Sequence, residues 1–216
     1  MNIKINLEML GKEYQVLFEV FESKRKEENI TIEEKLELAM LYIDLKEGEQ
    51  ALTIYEEILG EDPQNAQAKM WFAHFNLIYR DYLKENIYAS LKLAEEIIKL
   101  GDEMAAVGYM IKSFSLNQLA QTDRRDEQIE ALQKSVQLCP DWNFNHEHLA
   151  ILYDKEGRIV EAIEQYEKAG ENYIDDFDPD WGPIKRYFEA VITGRVVGEL
   201  HKRGRLRKIE ELRKLL

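Results

Sequence analysis

Proline and glycine are scarce, at 4 and 11 in 216 residues. That is too few for the many turns of a multistranded β-fold. There is one cysteine, Cys139, so no internal disulfide forms, which fits a reducing cytosol. With Pro140 behind it, this cysteine reads as a small hydrophobe rather than a nucleophile. No stretch approaches 18 consecutive apolar residues, so no membrane-spanning helix is expected. The opening "MNIKINLEMLGKEYQ" lacks the apolar run with basic flanks of a signal peptide. The expected location is the cytoplasm. Phosphate loops, nucleophile elbows and Cys/His clusters are also missing. Neither catalysis nor a cofactor is expected.

Charge of one sign is in excess. The net charge is −13, which disfavours nucleic acid as a partner because phosphates need clustered Lys and Arg. The excess is uneven. Residues 195–216 hold 8 basic and 3 acidic side chains, leaving 21 basic and 39 acidic in the remainder. An acidic body of −18 therefore carries a tail of +5, and favours a basic partner, chiefly through on-rate. The tail has two readings. It could touch nucleic acid, or its cations could serve a terminal helix that pairs with the acidic body. Leu206, Ile209, Leu212, Leu215 and Leu216 offer such a helix an apolar face, so docking is the preferred reading.

What the chain does contain is a sentence written twice. "LAMLYIDLKEGEQALTIYEEIL" (38–59) aligns without a gap to "LAILYDKEGRIVEAIEQYEKAG" (149–170). Leu38 pairs with Leu149, Ala39 with Ala150, Tyr42 with Tyr153, Ala51 with Ala162 and Tyr55 with Tyr166. Alanines at this spacing let two antiparallel helices approach closely, while the tyrosines fill the space toward a neighbouring pair. The pattern resembles the tetratricopeptide repeat, a helix–turn–helix unit of 34 residues. Pro63 and Pro140 stand at the family's closing proline, whereas Lys35 and His146 replace its early tryptophan. The resemblance implies an all-α fold, a right-handed α-solenoid of about four tetratricopeptide units.

The copies lie 111 residues apart, nine more than three 34-residue units would span. Helix-connecting loops at 79–88 and 121–127 are the expected places for the surplus. The units then run about 32–65, 66–104, 105–142 and 143–176, together 31–176. A capping helix precedes them in 1–30, its apolar side being Leu7, Leu10, Tyr14, Leu17, Phe18 and Phe21. Thr31 and Glu34 suit a capping box at the next helix. Capping helices at 183–204 and 205–216, carrying the basic tail, complete residues 177–216. End pieces are needed because each internal unit leaves an apolar face open.

In the family, partners lie along the inner groove lined by the first helix of each unit. Transferring those positions gives Glu33, Leu36, Met40 and Ile43 from the first unit. The second gives Met70, His74 and Leu77, and the third Met110, Phe114 and Asn117. The fourth gives Phe144, Glu147, Ile151 and Asp154. Methionine in three successive units would suit irregular apolar side chains of a peptide, or else fill gaps between helices. The family's Lys/Asn/Arg clamp for chaperone tails has Leu36 and Met40 at two of its places, so carboxylate recognition is not expected.

Two metal-like motifs fail on chemistry. "DDFDPDWG" (175–182) has alternating Asp, but Trp181 replaces the turn glycine and Tyr187 the bidentate glutamate of a calcium loop. His146 and His148 are two residues apart, which points them away from each other on a helix. No metal is expected. The expected function is binding of a protein or peptide, basic or amphipathic, as a scaffold, a chaperone or an antitoxin- or immunity-like inhibitor. The alternative is a nucleic-acid-associated regulator using the tail, and a homodimer is left open.

Overall fold

The structure is a computed structural model and describes residues 7, 10–79, 84–119, 124–171 and 199–216. Ten helices order the described residues, and among them there is no strand. They are α1 (Lys12–Lys26), α2 (Ile32–Asp44), α3 (Gly48–Glu61), α4 (Ala66–Tyr79) and α5 (Lys84–Ile98). After them come α6 (Asp102–Gln118), α7 (Arg125–Leu138), α8 (Asn143–Lys155), α9 (Ile159–Glu171) and α10 (Glu199–Arg213). Consecutive helices from α2 to α9 pack as α2/α3, α4/α5, α6/α7 and α8/α9 pairs, each stacked on the next. The result is an α-solenoid. Among the described residues no helix is long and apolar enough to cross a membrane.

Local chemistry explains the helix ends. Thr31 opens α2 as the expected capping box: its hydroxyl accepts from the Glu34 amide at 3.2 Å, and the Glu34 carboxylate accepts from the Thr31 amide at 3.0 Å. α2 closes in a Schellman turn, with the Glu47 amide donating to Tyr42 O and the Lys46 amide to Ile43 O. The same turn joins α8 to α9, where Arg158 and Gly157 donate to Tyr153 O and Asp154 O. The left-handed residue is Gly157 in one copy (φ 71°) and Lys46 in the other (φ 61°). A side chain in that conformation costs about 1 kcal/mol, part of which a glycine gives back as unfolded-state entropy. Lys46→Gly is therefore expected to stabilise the fold by about 0.5 kcal/mol, measurable by urea denaturation.

Small residues set the helix spacing. Ala39, Ala73, Ser113 and Ala150 recur on the four leading helices, and each is fully buried, as are Ala51 and Ala162 on α3 and α9. Tyr42, Tyr55, Tyr153 and Tyr166 fill the space that these leave. Tyr55 stacks on Phe75 of the next pair at 6.1 Å, and Phe75 on Trp71 at 5.3 Å. The core is continuous from α1 through α6, and a second apolar cluster joins α7 to α10. Between them runs a polar seam: Asn145 Nδ2 donates to Ser135 Oγ, which donates to Ala106 O, both at 2.7 Å. These two bonds satisfy the buried Ser135 hydroxyl and the Asn145 amide nitrogen.

α4 ends at Tyr79 and α5 begins at Lys84, while α6, at 17 residues against 13 in α2 and α8, takes up part of the surplus within the helix itself. At the family's tryptophan place, Lys35 and Lys69 are buried and pair with Glu61 and with Glu96, the latter at 3.0 Å. α1 packs on α2 through buried Phe18 and half-buried Tyr14 and Phe21, but Leu17 turns to solvent. α10 covers the far end with Ile209 and Leu212, whereas Leu206, Leu215 and Leu216 are exposed. Of the five apolar residues expected on the tail's face, two are thus buried, beside the buried Arg205. Most of 183–204 and all of "DDFDPDWG" lie outside the described residues.

Candidate functional site

The inner-face residues separate by depth. Met40, Ile43, Met70, His74, Leu77 and Met110 are buried, and Met110 retains only 1% exposure. Met40 Sδ accepts a hydrogen bond from the Tyr55 hydroxyl at 3.4 Å. These three methionines therefore serve as gap fillers between helices, the use to which a flexible, polarisable side chain is suited. Leu36, Phe114, Phe144, Glu147 and Ile151 are half-buried, and Asn117 is exposed. Glu33 is exposed and Asp154 half-buried.

Three leading helices bring aromatic rings together. Phe114 of α6 lies 6.3 Å from His74 of α4 and meets Phe144 of α8 edge-on at 5.6 Å. His148 completes the group, 4.8 Å from Phe114 and 4.2 Å from Phe144. Its place was legible in one respect: Phe144, His148 and Ile151 share a helix face by their i, i+4, i+7 spacing. The transferred groove positions skip it. Edge and tilted ring contacts of this kind stabilise by about 1 kcal/mol each beyond area burial. Burial holds both imidazoles neutral, pulling His74 down to about 3, while burial and then the Lys155 charge pull His148 down to about 4.

His146 plays a different part. It is buried, with Nε2 2.7 Å from Pro140 O and Nδ1 2.6 Å from the Gln165 side chain. A carbonyl only accepts, so Nε2–H donates to Pro140 O, while Nδ1 faces Gln165 Oε1. Both nitrogens are thereby engaged inside the fold, as expected of a packing histidine. Among the described residues no three His, Cys, Asp or Glu side chains are grouped to hold a metal ion. Cys139 is buried.

The acidic residues at the far end of the inner face meet the chain's own basic helix. Arg205, itself buried, donates to Glu147 at 3.1 Å, and Lys208 lies 2.9 Å from Asp154. Arg213 pairs with Glu167 of α9. Ion pairs with α8 and α9 thus occupy three cations of the tail. Exposed pairs such as that of Arg213 add little, below about 1 kcal/mol, while Ile209 and Leu212 are buried in the apolar cluster of this end.

Residues 35–65 match the family model described as tetratricopeptide repeat. No curated protein matches the chain by sequence. Among solved structures the chain is similar to MamA, at 19% identity over 72% of this chain and 85% of that one, with a TM-score of 0.58. It is similar to TTC0263, a thermophilic TPR protein of Thermus thermophilus, at 20% identity over 81% and 88%, also with a TM-score of 0.58. A third is YrrB, a TPR protein with an unusual peptide-binding site, at 19% identity over 90% and 93%, with a TM-score of 0.53. A tetratricopeptide repeat is thus matched at 35–65, and the stacked helix pairs share the fold of these proteins.

Proposed function

We propose that the chain is a non-catalytic binding module whose four helix pairs act as tetratricopeptide units and hold a peptide or protein along their inner face. The observation that carries this is the half-buried series Leu36, Phe114 and Ile151, drawn from α2, α6 and α8, with exposed Asn117 beside it. Apolar groups that are partly accessible on three of the four units suit a partner's apolar side chains, with polar neighbours to orient it. YrrB, a protein of the same fold with a peptide-binding site, supports the class of ligand. The preferred partner is basic and amphipathic. The acidic body favours it, and α10 offers an intramolecular precedent, laying Arg205 and Lys208 on Glu147 and Asp154. Roles as a chaperone or an antitoxin- or immunity-like inhibitor of a basic protein are versions of this reading.

The test is affinity capture from cytosol at low and moderate salt, read by mass spectrometry. Variants at buried Met40, Met70 or Met110 would unfold the array, so Leu36→Glu with Ile151→Glu is the better probe. A partner kept by the wild type and reduced about tenfold or more by the variant, at unchanged helical circular dichroism, is the expected result. Equal retention by both proteins would move the site off the inner face. Capture of nucleic acid, lost when 202–216 are removed, would replace the reading with the tail-based regulator.

A further inference from the structure

α1 presents a face that none of the other described helices covers. Val16, Leu17 and Val20 are exposed at 61%, 38% and 44%, while the opposite side buries Phe18 against Tyr42, edge-on at 5.0 Å. One turn before this patch stands exposed Glu13, and one turn after it Lys24, whose ammonium pairs with Glu34 and stays partly exposed. Residues 13, 17, 20 and 24 follow one another at steps of four, three and four. That is the spacing of a coiled-coil seam, two apolar layers with opposite charges at its ends.

We propose that this face is a self-association surface, pairing α1 of two copies of this chain antiparallel about a two-fold axis between residues 18 and 19. In that arrangement Leu17 of each copy meets Val20 of the other, with Val16 flanking the contact. Glu13 of each copy then meets Lys24 of the other. The seam is self-complementary in both shape and charge, as a two-fold interface requires. Parallel pairing would set Glu13 against Glu13 and Lys24 against Lys24, which the charges oppose.

Other exposed apolar residues lack this property. Leu206, Leu215 and Leu216 on and beyond α10 stand among Arg207, Arg213 and Lys214, so two such ends repel each other. Ile78, Tyr88, Leu100, Leu138 and Val160 are spread over different parts of the array. The contact is short, so the dimer it makes is a weak one. It is also remote from Phe114 and Ile151, and stands or falls independently of partner binding there.

Sedimentation equilibrium of the full chain under reducing conditions, from about 1 to about 200 μM, tests the proposal. The wild type is expected to show a reversible monomer–dimer equilibrium. Val20→Glu should weaken it by about tenfold or more at unchanged helicity, since the site is exposed and tolerates charge in the monomer. Glu13→Lys should weaken it too, by facing Lys24 with a like charge. Register is read by mixing Leu17→Cys and Val20→Cys chains under oxidation, where the mixed disulfide should exceed either homodimer. A wild type monomeric throughout overturns the proposal. So does a dimer indifferent to Val20→Glu, including one lost instead on Leu215→Glu, and so does crosslinking without preference for the mixed pair.

Discussion

Lowering the pH from 7 to 5 is expected to cost about 2–4 kcal/mol of stability, through His74 and His148 alone. Both imidazoles are held below the ordinary value of 6.5, at about 3 and about 4, chiefly because burial penalises the charged ring. The folded pKa is depressed, so between pH 6.5 and about 4 the unfolded chain binds protons that the folded chain refuses. Stability is then complete above 6.5 and falls as the pH drops, by up to about 1.4 kcal/mol per pH unit for each ring. The useful window is pH 6.5 to 5, before carboxylates begin to titrate. Urea denaturation at half-unit steps measures it. Replacing both histidines with glutamine should flatten the curve across that window, whatever it does to the absolute stability. A wild-type curve already flat there would mean that the ring cluster admits water or charge.

Gly108→Ala is expected to destabilise the chain by about 2 kcal/mol, lowering Tm by several degrees. A Cβ at Gly108 would lie 2.8 Å from Ile98 N and Cγ1 and 2.9 Å from Ala94 O. Two of those atoms are backbone of α5, so no rotamer change relieves them, and α5 and α6 would have to part. That outweighs the gain of about 1 kcal/mol that alanine brings to a helix interior. Gly204 of α10 is the control. Nothing lies within 4 Å of its added Cβ, so Gly204→Ala should show the propensity gain alone. Opposite signs at two helical glycines, read by thermal denaturation, would isolate the close approach as the cause.

Much of the architecture was legible because its signals are local or repeated. The gap-free copies announced Ala39, Ala51, Ala150 and Ala162, and these are fully buried where helices touch. The capping box at Thr31 and Glu34 needs only four residues, and it forms. His146 was readable as a packing residue because its repeat equivalent, Lys35, sits at the same place. The site was less legible. Inner-face positions transferred from the family say which side of a helix a residue occupies, but depth depends on what the next pair brings. Met40, Met70 and Met110 point inward because Tyr55 and the neighbouring helices close over them, a contact between helices that one helix's pattern does not contain. His148 was set aside with the metal candidates, and only the approach of α6 to α8 shows it packed between Phe114 and Phe144.

By itself, then, the sequence determined the helical class, the repeat and the opposed charges of body and tail. All of these are set by composition or by spacing within one unit, and survive any small error in how units stack. Tertiary structure decided which inner-face residues remain accessible, that the tail's Arg205 and Lys208 face Glu147 and Asp154, and that Val16, Leu17 and Val20 are left uncovered on α1. Those depend on distances between helices far apart in the chain. Such distances are set by packing all the side chains at once, at a density where one Cβ at Gly108 is too many.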